Sequence, residues 1–275
     1  MADDCNEALV TLADLPESCL SKILELTTPK DVCRLSVLCC ALKSAGNSNC
    51  VWEKMLPPCY RDLLARASNP LQFNSKKELY FRLCEPVFID QRKKKFWLDK
   101  ATGKICFMFS ARDLGIVWGN DTRYWRWISG DGASSFDEVA KLIKVCWFEV
   151  EGSFDCRLLS PGIAYTVSFR LKLNGLLDGW DITPVKFSVT TSWGHQQQSA
   201  RFFQNTEEPV EHVGEDWIEF DAGEFVVEEN DDGPKEVKFK MNEVVGGDWK
   251  DGLILDGVKI QPSFLVTDKR EVREE

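Results

Sequence analysis

The apolar residues of this chain change period at Glu85–Pro86. Before that point they recur three and four apart; after it they come in short runs separated by turn residues. A period near 3.6 builds a helix with one apolar stripe, whereas short runs at period 2 build strands. One chain therefore carries a helical part followed by a sheet part. Tryptophan divides the same way: Trp52 is alone in the first third, and the other nine of ten run from Trp97 to Trp249. The pattern predicts an α+β chain of 275 residues in two domains. Helices occupy 1–60, a helical linker 61–85, an antiparallel β-sandwich 86–266 and a charged tail 267–275.

The helix starts are written in capping residues. Leu15-Pro16-Glu17 opens one helix, with Leu20, Ile23 and Leu24 on one face. Thr28-Pro29-Lys30-Asp31 opens a second, with Thr as N-cap and Asp placed against the helix dipole. Val32, Leu35 and Cys39 follow at helical spacing, Val37 and Leu38 widen the stripe, and Gly46-Asn47 stops it. Ser75-Lys76-Lys77-Glu78 has the capping-box pattern. Further on, the stretches 95–98 and 105–109 read as strands joined by a turn over 99–103. Asn174-Gly175, Asp178-Gly179, Asp232-Gly233 and Gly246-Gly247 read as turns, and 137–141 as a short helical turn.

Composition excludes several function classes. The net charge of -10 repels a polyanion, so non-specific nucleic-acid binding is disfavoured. There is no run of 18 apolar residues, so no spanning helix is expected. The acidic start Met1-Ala2-Asp3-Asp4-Cys5 lacks the apolar stretch of a signal peptide, which predicts a cytoplasmic or nuclear chain. Eleven cysteines, an odd number without Cys-x-x-Cys spacing, read as reduced thiols acting as small apolar residues. With His195 and His212 the only histidines, no metal site or cofactor is expected. Nucleophile-elbow, phosphate-loop and dinucleotide motifs are absent, so no enzyme is expected. The basic run Arg92-Lys93-Lys94-Lys95 reads as a solvated strand edge.

The string Leu15-Pro16-x-x-x-Leu20-x-x-Ile23-Leu24, then Pro29-x-Asp31-Val32-x-x-Leu35-x-Val37, then Val51-Trp52, resembles the F-box. So short a segment cannot bury all of these side chains internally, and some need a partner. The resemblance implies that Leu15, Pro16, Leu20, Ile23, Leu24, Pro29, Val32, Leu35, Val37 and Trp52 dock a Skp adaptor and through it a cullin-RING ubiquitin ligase.

The segment 110–127, which includes Trp118-Gly119-Asn120-Asp121-Thr122-Arg123-Tyr124-Trp125, resembles the opening of the phloem protein 2 family of Nictaba-like lectins. Val145-Cys146-Trp147-Phe148, Asp216-Trp217-Ile218-Glu219 and Asp248-Trp249-Lys250-Asp251-Gly252 extend the match over 86–265. The resemblance implies a jelly-roll-like sandwich that binds N-acetylglucosamine oligomers or N-glycan cores. An aromatic face covers the C–H side of a pyranose, and polar side chains bond its hydroxyls. The residues implied are Trp118, Asn120, Asp121, Arg123, Trp125, Glu236 and Glu243. Where Nictaba has a lysine-rich loop, this chain reads Gly194-His195-Gln196-Gln197-Gln198. Together the two resemblances imply a non-catalytic substrate receptor of an SCF-type ligase that recognises a glycan or glycoprotein. The alternative is a sandwich that has lost sugar binding and recognises a protein surface.

Overall fold

The computed structural model describes residues 12, 15–173, 178–203, 211–212, 217–228 and 235–263, with backbone alone at 211–212. The turns read at Asn174-Gly175 and Asp232-Gly233, the His212 side chain, the chain start and the tail over 267–275 lie outside them. The chain divides into two compact units: residues 1–65, 70–85 and 98–104, and residues 66–69, 86–97 and 105–275. The division is not a single cut at Glu85, because the turn over 98–104 belongs to the helical unit.

The helical unit holds α1 (Glu17–Leu24), α2 (Pro29–Leu35), α3 (Cys40–Ala45), α4 (Asn49–Met55), α5 (Tyr60–Ala65) and α6 (Lys76–Leu83). The Thr28 hydroxyl accepts the Asp31 N–H at 3.2 Å and starts α2. At α6 the Ser75 hydroxyl accepts the Glu78 N–H at 3.1 Å, but the Glu78 carboxylate returns to the Asn74 N–H at 2.8 Å. The single helix expected from Val32 to Gly46 is two. The Ser36 hydroxyl donates to the Val32 carbonyl at 2.6 Å, and the chain leaves the helix there, carrying Val37 and Leu38 outward. Trp52 is the centre of the core. Its indole N–H donates to the Gly46 carbonyl at 2.7 Å, and its ring packs on Tyr80 and Phe81 of α6 at 5.1 and 5.3 Å. Residues 61–85, expected to be a linker, thus supply part of this core.

The sheet unit has two antiparallel sheets among the described residues. The larger runs β1 (Val87–Ile89), β2 (Lys94–Leu98), β3 (Ile105–Ser110), β14 (Leu253–Pro262), β8 (Ala164–Leu173), β12 (Trp217–Val226), β11 (Glu211–His212). The hairpin of β5 (Trp125–Ser129) and β6 (Glu138–Leu142) joins it through β14. The smaller sheet runs β10 (Gln196–Arg201), β9 (Val185–Thr191), β13 (Glu236–Glu243), β7 (Phe148–Asp155), β4 (Gly115–Ile116). The helical turn expected at 137–141 is instead strand β6, because Ala140 and Lys141 pair with Leu255 and Ile254 of β14. Tertiary pairing overrides local pattern here.

Aromatic rings join the sheets: Phe109 to Phe154 at 5.2 Å, Phe169 to Phe187 at 5.9 Å, and Phe187 to Phe220 at 6.1 Å. Strands β7, β9 and β13 alternate buried and wetter residues, as a sheet with one face in water must. Strand β14 is buried at every position. Gly257 in it is required, since a Cβ there would lie 1.8 Å from the Phe109 carbonyl oxygen.

The non-core side of the larger sheet buries charge. The Arg170 guanidinium donates to Asp256 at 2.7 Å and to the Ala133 carbonyl at 2.8 Å, and Lys259 pairs with Glu219. The Arg170 bond to Ala133 and the Ser135 N–H donated to Asp256 tie the loop over 131–136 onto the strands, as does the Lys95 ammonium, which donates to the Ser135 carbonyl at 3.3 Å. The basic run expected to be a solvated edge is mostly engaged. Arg92 pairs with Asp137 at 3.0 Å, Lys94 with Asp113 at 3.3 Å, and Lys95 is half-buried.

Candidate functional site

In the helical unit the residues implied to touch an adaptor separate into two sets. Leu20, Leu24, Pro29, Val32 and Trp52 are buried in the unit's own core and offer no surface. This corrects their assignment as contacts: they shape the face rather than form it. Leu15 and Leu35 are half-buried, and Pro16, Ile23 and Val37 are exposed. Leu26 is also exposed, as are Val37 and Leu38, 82% and 68% exposed at the break between α2 and α3. Leu26 fell outside the apolar stripe because it lies two residues past the end of the helix that Pro16 starts.

In the sheet unit the turn between β4 and β5 is a wound loop. The Gly119 N–H donates to the Ile116 carbonyl at 2.9 Å, and the Asp121 N–H to the Trp118 carbonyl at 2.8 Å. Trp118 has φ +60°, a left-handed conformation that costs a bulky residue about 1–2 kcal/mol. Two indoles hold it there. The Trp125 N–H donates to the Val117 carbonyl at 3.1 Å and the Trp127 N–H to the Gly119 carbonyl at 3.0 Å, one on each side of Trp118. Trp118 is 56% exposed, with its ring 5.9 Å from that of Tyr124.

Trp125, expected to stack on a sugar, is 2% exposed and packs on Phe148 at 6.2 Å, so its face is not available. It positions the loop that presents Trp118. Asn120 is exposed. Asp121 and Arg123 form a two-bond ion pair at 3.0 and 2.7 Å, which holds the Asp121 carboxyl below the usual carboxylate range.

The two glutamates do not share this end. Glu236 and Glu243 are the two ends of β13, roughly 23 Å apart at strand rise. Glu236 pairs with Lys238 at 3.5 Å beside a groove of about 770 Å³ on the outer face of the smaller sheet. Glu243 is 2% exposed and forms a buried ion pair with Lys250. Burial opposes its charge, but the Gly246 and Val245 N–H groups and Lys250 outweigh that and keep its pKa low. It is not a sugar ligand; it folds the loop over 244–250.

That loop brings in two further indoles. Trp249 is exposed on it, and Trp147 is exposed on the facing segment, where Val145 and Lys250 exchange backbone bonds at 3.0 and 2.8 Å. The Val117 N–H donates to the Glu149 carbonyl at 3.1 Å, so the Trp118 loop lies at the same end of β7. Trp118, Trp147 and Trp249 are thus exposed indoles at one end of the sandwich. Among the described residues no group of three or more His, Cys, Asp or Glu could hold a metal ion, and no helix is long and apolar enough to cross a membrane.

Comparison with known proteins agrees with this division. The model of the F-box domain matches residues 12–54, and that of phloem protein 2 matches residues 104–262. F-box protein At2g02240 of Arabidopsis thaliana is 38% identical, over 90% of this chain and 79% of its own length. F-box protein PP2-B1 and F-box protein PP2-A15, from the same plant, are 33% and 36% identical over 90% and 91% of this chain and 89% and 88% of their own. Among solved structures, a family 35 carbohydrate binding module from Clostridium thermocellum aligns with 57% of this chain and 98% of its own, at 12% identity and TM-score 0.36. So slight a likeness bears on neither fold nor ligand. With an F-box domain ahead of an antiparallel sheet unit that carries the Trp118 loop, the chain belongs to the phloem protein 2 family.

Proposed function

We propose that the chain is the substrate-receptor subunit of an SCF-type cullin-RING ubiquitin ligase. The aliphatic surface of Ile23, Leu26, Val37 and Leu38 docks a Skp adaptor, and through it a cullin. The sheet unit holds a glycan or glycoprotein containing N-acetylglucosamine at the Trp118 end. The chain itself performs no chemistry. It raises the effective concentration of target lysines near the ubiquitin-charged enzyme, in cytoplasm or nucleus.

One observation carries the glycan reading: an exposed indole in a strained backbone conformation, clasped by two others. Strain of that kind persists only where the surroundings over-determine it, and it gathers at ligand sites. The test is a glycan array with the full chain, followed by titration calorimetry with chitotriose. Trp118→Ala weakens binding roughly fivefold to tenfold, as the loss of about 1 kcal/mol of stacking requires. A neutral ligand leaves that affinity insensitive to salt.

A second reading has its own observation. Val245 is exposed beside Trp249, which gives this end aliphatic surface that a sugar does not need. An array without signal from folded protein gives this end to a protein surface instead.

A further inference from the structure

At the other end of the sandwich lies a cleft of about 490 Å³ between the β9–β10 hairpin and β12. Thr191, at the end of β9, pairs with Val237, which pairs with Phe154 near the end of β7. The Trp118 loop meets the start of β7. The two places are therefore at opposite ends of the smaller sheet.

The cleft is built across both sheets. Strand β12 shifts register between Asp221 and Gly223, a bulge that bends it. Gly223, at φ +154°, lets Gln197 approach: a Cβ there would lie 3.0 Å from the Gln197 Oε1. That oxygen accepts the Glu224 N–H at 2.6 Å, and the His195 Nε2 meets the Glu224 carbonyl oxygen at 2.7 Å. Because a carbonyl only accepts, Nε2 carries a proton, which leaves Nδ1 as the acceptor of the Nε2–H tautomer. The Thr166 hydroxyl donates to Oε1 of Glu224 at 3.1 Å.

What remains after these bonds is a recognition set. The second carboxylate oxygen of Glu224 and Nδ1 of His195 accept, and the Gln197 amide donates. Trp193, half-buried and backed by the core ring of Phe225 at 6.4 Å, supplies an apolar wall. We infer that this cleft is a second ligand site, independent of Trp118, that takes a neutral saccharide unit with one apolar face and neighbouring hydroxyls. An anion is opposed by Glu224 and Glu228, both on the lining. A quaternary ammonium ion would leave the Gln197 donor without an acceptor. A hydroxyl has one proton to donate and also accepts, so two neighbouring hydroxyls, one on Glu224 and one on His195, satisfy both acceptors, and either accepts from the Gln197 amide. The volume lies within the range of small-molecule sites.

The test uses the full chain and its indole N–H signals in proton–nitrogen spectra, with those of Trp193 and Trp118 assigned from Trp193→Phe and Trp118→Phe. Chitotriose, mannotriose, galactotriose and choline are titrated separately to millimolar concentration. The expected result is a saturable shift of the Trp193 signal with at least one sugar and none with choline. That shift persists in Trp118→Ala and weakens about tenfold in Gln197→Glu, which keeps an oxygen for the Glu224 N–H and removes only the amide donor. A Trp193 signal that no sugar moves, or that only choline moves, overturns the inference. So does a shift lost in Trp118→Ala. The Trp118 signal, read in the same spectra, reports separately on the glycan site proposed above, so either site can fail alone.

Discussion

Both units leave large apolar side chains in water, but of different kinds. The helical unit exposes Leu26, Val37 and Leu38; the sheet unit exposes Trp118, Trp147 and Trp249 at one end. An aliphatic side chain gains only by being covered, at roughly 25 cal/mol per Å², so it needs an extended partner. An indole adds a flat face and an N–H, which suits a small polar ligand with one apolar side. The interiors differ as well. The helical unit keeps its charges near water, as with Glu53 beside Lys76 at 2.8 Å and Arg61 at 2.9 Å. The sheet unit buries Lys250 with Glu243, Arg170 with Asp256 and Lys259 with Glu219. In the function proposed above, the exposed apolar groups are where each unit meets a partner, and the buried charges hold the loops beside them.

The largest expected effect separates the indole that clasps from the one presented. Trp125→Ala opens a cavity and frees the Val117 carbonyl, a loss of about 3–5 kcal/mol in urea unfolding. Trp118→Ala stays within about 0.5 kcal/mol. Equal losses would erase the distinction. Next comes the contrast in charge. Glu243→Gln leaves Lys250 buried without its counter-ion and costs on the order of 3 kcal/mol. Glu53→Gln, at the helical unit's surface, costs within about 1 kcal/mol. If the two variants melt alike, the sheet unit's pairs are not buried as described.

The smallest effect is read from pH. Burial, with Arg170 and Lys259 near, pushes the Lys95 ammonium down to about 8 from 10.5, against the pull of Asp256. Below pH 8 the folded state carries this charge at a cost. Between pH 8 and 10.5 it releases the proton before the unfolded chain does, so stability rises with pH. Lys95→Met therefore exceeds the wild type by about 1–2 kcal/mol near neutrality, and the gap closes through that window. A gap that stays constant from pH 7 to 10.5 would place Lys95 in water.

How much of this was legible depends on how local each cause is. Thr28 with Asp31, Ser75 with Glu78 and the turn over 99–103 rest on contacts a few residues apart, and their residue types announce them. The break after Leu35 was not legible, because serine continues a helix as readily as it bends one. Strand β6 was misread because its partner β14 lies far along the chain. Trp118 and Trp125 look equivalent in sequence; only the Val117 carbonyl and Phe148 decide that one is buried. Glu243 reads as a surface acid until Lys250 is placed beside it. Nothing local in the sequence marks Trp147 and Trp249 as exposed, and it takes the bridge between Val145 and Lys250 to show them at the rim.

The central claim is that the two exposed surfaces serve two partners independently. The most direct measurement is titration calorimetry of a Skp adaptor and of chitotriose into the full chain, the double variant Val37→Asp with Leu38→Asp, and Trp118→Ala. Aspartates on the aliphatic surface should weaken the adaptor by at least about 2 kcal/mol, roughly thirtyfold, and leave the sugar heat unchanged. Trp118→Ala should do the reverse. Wild-type adaptor affinity in the aspartate variant, or wild-type sugar affinity in Trp118→Ala, would contradict the account.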